Sequence, residues 1–130
     1  MNTSKAVITR AEERPREEWD HPARGSVAFY TLFSSDITPT DSLSAGISEV
    51  VPGGGSKQLH SHAESEIYLI LEGTGIMIID DVETVVTKGD AVFIPGFARH
   101  GLRNDSAEIV KLFYVFPNGR FSDIEYVFPD

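Results

Sequence analysis

The sequence predicts an all-β single domain, a sandwich or barrel built from short strands. Three observations carry this expectation. Short apolar runs recur about every ten residues from Ser26 to the end, the spacing of a strand plus its turn. Gly, Pro, Asn and Asp cluster between the runs, at VPGGG, TKGD, IPG and FPNG. Finally, 130 residues that are 41% apolar suffice for one sizeable core, and no Pro/Gly linker divides them.

Residues 1–25 are charged and lack a clear period, so they read as an N-terminal arm, with the barrel domain spanning 26–130. AEERPREEW has the composition for a turn of helix, but Pro15 and the flanking charges favour an arm lying on the surface. Trp19 is the exception, because a large ring in a polar arm docks on something, such as a partner subunit. VAFYTLF then reads as a buried strand and SSDITPTDS as a turn-rich loop. LSAGISEVV is a strand stopped by Pro52 and Gly53–Gly55, where tight turning is the reading rather than phosphate binding, since no Lys-Ser/Thr helix start follows. SKQLHSH and EIYLILEG come next. IMIID and ETVVTKG pair as a hairpin across Asp80–Val82. AVFIP, HGLRN and EIVKLFYVF follow, Pro117-Asn118-Gly119 makes a turn, and SDIEYVFP alternates like a last strand.

Composition narrows the function. The formal net charge is −9, which argues against a nucleic-acid or anionic-membrane partner, since both need a basic patch. The chain contains no cysteine, which excludes disulfides, thiolate catalysis and Cys-bound zinc. No apolar run is long enough to span a bilayer, and the first residues lack a signal-peptide core, so a cytoplasmic location is expected.

Chemistry concentrates between Gly54 and Asn104. His60 and His62 are two apart, which in a strand puts both on one face. Glu66 opens the next apolar run, where a turn at Ala63–Ser65 folds it back beside them. His100 would add a third imidazole. Three imidazoles and a carboxylate suit one divalent transition metal, such as Fe, Mn, Ni, Cu, Co or Zn. The fourth histidine, His21, reads as a surface residue. Gln58 and Asn104, on the strand faces of His60 and His100, are candidates to orient them.

At these residues the sequence resembles the cupin superfamily. Its first motif, G-x5-H-x-H-x3-E-x6-G, is matched at Gly54, His60, His62, Glu66 and Gly73. Its second, G-x5-P-x-G-x2-H-x3-N, is matched at Gly89, Pro95, His100 and Asn104, with Phe97 standing where the motif has its second glycine. The resemblance implies a cupin double-stranded β-helix, a jelly-roll barrel holding one divalent metal (Fe, Mn, Ni or Zn) on His60, His62, Glu66 and His100. It also implies a homodimer. EIY after the glutamate and the ending YVFPNGRFSDIEYVFP look like the small cupin lyases that cleave dimethylsulfoniopropionate to dimethyl sulfide and acrylate. In that family a tyrosine two residues after the glutamate ligand and another near the C-terminus take part in proton abstraction, so the resemblance implies catalytic roles for Tyr68 and Tyr126.

Strand parity gives an independent check. If Glu66 faces inward, Tyr68 does too. Lys111 should face water, which turns Leu112, Tyr114 and Phe116 inward, and Asp123 and Glu125 likewise turn Ile124, Tyr126 and Phe128 inward. Such aromatics, with Phe29 or Tyr30, can hold a sulfonium by cation–π contact. Packing alone also accounts for buried tyrosines, and most readily for Tyr114. What the resemblance implies is a metal-dependent β-elimination on a small-molecule substrate. An Fe(II) or Mn(II) dioxygenase and a non-catalytic ligand-binding module use the same ligands and remain alternatives.

Overall fold

The structure, a computed structural model, describes residues 6–129. Ten strands follow in order: β1 (Glu17–His21), β2 (Gly25–Phe33), β3 (Ser44–Val50), β4 (Gly55–Ser56), β5 (Glu66–Glu72), β6 (Thr74–Ile79), β7 (Val82–Thr87), β8 (Ala91–Ile94), β9 (His100–Arg103) and β10 (Val110–Phe116). Ala11–Glu13 and Phe121–Asp123 each form a 3-10 turn. No helix among the described residues is long and apolar enough to cross a membrane.

Every strand pair is antiparallel. The strands form one curled sheet in the order β7-β6-β9-β4-β2-β3-β10-β5-β8, with β1 on β2 outside this path. The all-β expectation therefore holds. Along β10, Val110, Leu112, Tyr114 and Phe116 are buried, as the parity of Lys111 required. Lys111 itself reaches Glu49 and Glu72 at 3.8 and 3.9 Å. Cross-strand register carries the alternation over the sheet. Thr31, Gly46, Tyr114, Tyr68 and Val92 make one row, on the face that bears Glu66. The adjacent row of Tyr30, Ile47, Phe113 and Leu69 has the opposite parity and faces out.

The core lies inside the curl. Ile70, Ile94, Val110 and Phe116 are at most 1% exposed, and each such side chain contributes about 1.5–3 kcal/mol through removal from water. Tyr114 is 4% exposed. Its hydroxyl lies close to that of Thr31, which donates to Glu17 at 2.9 Å, and it makes no hydrogen bond of normal geometry.

Four local expectations change. Within the arm, Glu17–His21 is a strand paired with Ser26-flanking residues of β2, from Glu17↔Phe29 to His21↔Gly25. SKQLHSH is a strand only at its start; beyond Ser56 it bends, because His60 bridges His100 on one side and Ser61 bridges Val127 on the other. SDIEYVFP opens as a 3-10 turn and meets the sheet only at Val127. The β6–β7 hairpin turns at Asp80-Asp81, both at positive φ (48° and 70°), with Ile79 opposite Val82. That is the two-residue turn whose twist matches paired strands, and Asp tolerates it better than most residues.

Candidate metal centre

The backbone brings the three histidines of the motif together. His60 N–H donates to the His100 carbonyl at 3.0 Å, and His100 N–H returns to His60 at 2.8 Å. Residues paired this way place their side chains on the same face, so both rings enter the curl. His62, two residues on, follows His60. Candidate ligand nitrogens of the three histidines all lie within 4.8 Å of one another. Glu66, first in β5 and 4% exposed, puts Oε1 3.3 Å from His62 Nε2 and 3.5 Å from His100 Nε2.

The second nitrogens are committed. His62 Nδ1 lies 2.8 Å from the Glu64 carbonyl, and His100 Nδ1 lies 2.9 Å from the Ala98 carbonyl. A carbonyl only accepts, so Nδ1 carries the hydrogen and Nε2 presents a lone pair. Those two Nε2 atoms and Glu66 Oε1 are buried without hydrogen-bond partners. One carboxylate oxygen thus faces two imidazole lone pairs inside the protein, and a proton on either ring leaves the other unsatisfied. A shared divalent cation satisfies all three, so these residues fit a metal. For His62 and His100 the orienting groups are backbone carbonyls, and for His100 not the side chain of Asn104. Asn104 instead clamps its own loop, donating to Val50 and Glu108 and accepting from Ser106.

Electrostatics separates the histidines. Burial, reinforced by the repulsion His100 and His62 would exert when charged, pulls His60 down to about 3. Burial also lowers His62, but the Glu66 carboxylate beside Nε2, which favours a charged ring, outweighs it with help from Glu64, and the net shift is upward.

The loop Pro95–Arg99 supports the centre from outside. Phe97 N–H donates to the His62 carbonyl at 2.7 Å. Phe97 adopts φ +67° and is 73% exposed, so the position where the motif has glycine keeps glycine's conformation with a bulky residue in it. Gly96 beside it lies against Ala63, whose carbonyl oxygen would be 2.4 Å from an added Cβ.

A cavity of about 470 Å³ opens beside His60, lined by His60, Glu66, Tyr68, Tyr114 and Tyr126 among others. The Tyr126 ring stands 4.9 Å from that of His60 and 5.3 Å from that of His62. Burial pushes the Tyr68 and Tyr126 phenols well above the usual tyrosine value, and the Glu66 carboxylate adds to the rise. Tyr126 keeps 38% of its surface exposed, so water moderates the effect there.

Of the other candidates, Phe29 lines the cavity and Tyr30 does not. His21 is exposed and accepts backbone N–H groups of Ala23 and Arg24. Sequence reasoning missed Arg24, Phe121 and the role of Phe128. Trp19 does dock, but on its own chain: it stacks on Phe128 at 5.8 Å and lines the same cavity. Its aromatic ring in a polar arm was the available signal.

Comparison with known proteins bears on the family and the fold. Residues 46–116 match the family model described as a cupin domain. The chain is 36% identical over 118 residues to the dimethylsulfoniopropionate lyase DddW of Ruegeria pomeroyi, covering 91% of this chain and 76% of that protein. Among solved structures, the polyketide cyclase RemF from Streptomyces resistomycificus superposes with a TM-score of 0.82 at 20% identity, covering 97% of this chain and 87% of that one. A predicted oxalate decarboxylase from Thermotoga maritima gives 0.73 at 22% identity, covering 86% and 99%. At such identities the two structures speak for the fold alone.

Proposed function

The chain belongs to the cupin family, and from that premise we propose that it is a metal-dependent lyase acting on a short β-substituted carboxylate, with dimethylsulfoniopropionate as the leading candidate. The observation that carries the reading is the presence of two phenols, Tyr68 and Tyr126, in one cavity with Glu66 and His60, the histidine whose ligand nitrogen groups with those of His62 and His100. The similarity to a dimethylsulfoniopropionate lyase over most of the chain supports it.

In this reading His60, His62, His100 and Glu66 hold the metal. A bound divalent ion supplies Lewis acidity to a substrate carboxylate and positive charge that favours a nearby phenolate. Tyr68 or Tyr126 takes the α-proton on its phenolate oxygen. The Cα–H pair becomes the Cα–Cβ double bond, the Cβ–S bond breaks, and its electrons leave on neutral dimethyl sulfide. Phe29, Tyr114 and Phe121 keep water from the reacting carbons and offer ring faces to a sulfonium.

The test is headspace detection of dimethyl sulfide under nitrogen, with protein loaded separately with Fe(II), Mn(II), Ni(II) and Zn(II). Release without oxygen, lost in Tyr68→Phe or Tyr126→Phe that still binds metal, is expected. No release with any metal removes the lyase reading and leaves an oxygenase or a binding protein to be tested by oxygen uptake.

The protein is further proposed to pair as a homodimer through the outside of the sheet. Ile67, Leu69 and Phe93 are 45%, 38% and 63% exposed there. They are contiguous through the pairs Ile67↔Phe93, Val115↔Ile67 and Phe113↔Leu69. Such a face is the kind an identical subunit covers.

A further inference from the structure

We propose that Arg24 forms a second anchoring point at the cavity mouth, an anion subsite that selects substrates carrying a second negatively charged group. Arg24 is the one lysine or arginine lining the cavity, where Glu66 is the one acid. Its guanidinium carbon lies 4.1 Å from the centre of the Phe128 ring. Phe128 in turn stands 5.7 Å from the His60 ring. A single short-chain molecule can therefore touch the metal centre at one end and Arg24 at the other.

The position of Arg24 bears on a ligand. Arg10, Arg16 and Arg103 make ion pairs; Arg14, Arg99 and Arg120 make none among the described residues, and none of these six lines the cavity. Among the described residues Arg24 makes no ion pair, although its backbone is fixed on both sides. Its N–H donates to His21, and its carbonyl accepts from Lys57 N at 2.9 Å and Gln58 N at 3.4 Å. A guanidinium stacked on an aromatic face leaves its edge free, and that edge matches a carboxylate bidentately. A sulfonium placed there would meet like charge, so dimethylsulfoniopropionate would keep its sulfonium on the rings of Phe29, Tyr114 and Phe121 and leave Arg24 unused. Within the class of β-substituted carboxylates, the subsite adds those whose leaving group or chain carries a second carboxylate.

This inference rests on the proposed metal centre, so zinc binding is titrated first by calorimetry, independently of turnover. The zinc-loaded protein is then titrated with succinate against butyrate, and glutarate against pentanoate, by calorimetry and by the fluorescence of Trp19, the single tryptophan. A charge-assisted bidentate contact predicts that each diacid binds about tenfold more tightly than its monoacid. In Arg24→Gln the difference should vanish while monoacid binding stays. Arg24→Lys, with charge but no fork, should keep only part of it. Equal binding by the wild type overturns the subsite, as does a preference that survives Arg24→Gln. Loss of the monoacids as well in Arg24→Gln also overturns it, because Arg24 would then support the whole cavity. Absence of dimethyl sulfide release bears on the proposed reaction and leaves this result unaffected.

Discussion

Tyr114 lays its phenol over Gly46, so closely that a Cβ on Gly46 would stand 2.4 Å from the hydroxyl oxygen and 2.6 Å from the Tyr30 carbonyl. The missing side chain on β3 is what lets a large ring on β10 occupy the row that ends beside Tyr68. Gly46→Ala is expected to cost about 1–3 kcal/mol through overpacking and to push Tyr114 toward the cavity. Tyr114→Phe should be neutral or slightly stabilising, since the hydroxyl it removes is buried without a partner. Urea unfolding of the two variants checks both. Equal stability of Gly46→Ala and wild type would show that the strands separate freely at this point.

Phe97 holds a left-handed backbone at φ +67° with its ring 73% in solvent. Glycine adopts that conformation without the Cβ penalty, which is about 1–2 kcal/mol, and gives part of it back as unfolded-chain entropy. Phe97→Gly is therefore expected to raise stability by about 0.5–1 kcal/mol. Zinc affinity should not change, because the contact to His62 is made by the Phe97 N–H.

The metal-free protein should lose stability on acidification in a defined window. His60 stays neutral in the fold down to about 3, while unfolded it takes a proton near the ordinary histidine value of 6.5. Between these values the unfolded chain binds more protons, so stability falls as pH drops, by up to about 1.4 kcal/mol per pH unit from this group. His62 is shifted the other way; its contribution is complete below 6.5 and is lost as pH rises through its folded value. Thermal melts of EDTA-treated protein from pH 7 to 4 test the sign. His60→Gln should flatten the slope.

The homodimer proposal predicts that Phe93→Glu or Ile67→Lys yields monomer without unfolding, because both side chains are exposed on the outer face. Sedimentation velocity reads this directly. A wild type that sediments as monomer would leave that face without the proposed role.

Most of the site was legible from local pattern. Turn residues and alternation marked β2, β3, β5 and β10, and H-x-H-x3-E with His100 marked the convergent side chains. The rest depended on contacts between distant residues. SKQLHSH alternates like a strand, yet two partners on opposite sides, His100 and Val127, bend it. Glu17–His21 has no apolar period of its own and becomes a strand only because β2 offers a free edge. Arg24 carries no signal of its own in the sequence, since nothing near it announces that Phe128 will lie beneath it. Tyr126 was placed by parity, yet it enters the cavity from an irregular tail rather than from a strand.

That tail is tied by Ser61, between His60 and His62, which exchanges two backbone hydrogen bonds with Val127 (2.9 and 2.8 Å). Trp19, from the other part of the chain, meets it at Phe128. The doorway to the cavity is therefore framed by Trp19 of the arm and by the tail at Phe128. A bulky group attached beside Val127 or Phe128 would sit on the threshold, and its first effect would be on traffic through the entrance, while the barrel behind it stayed intact.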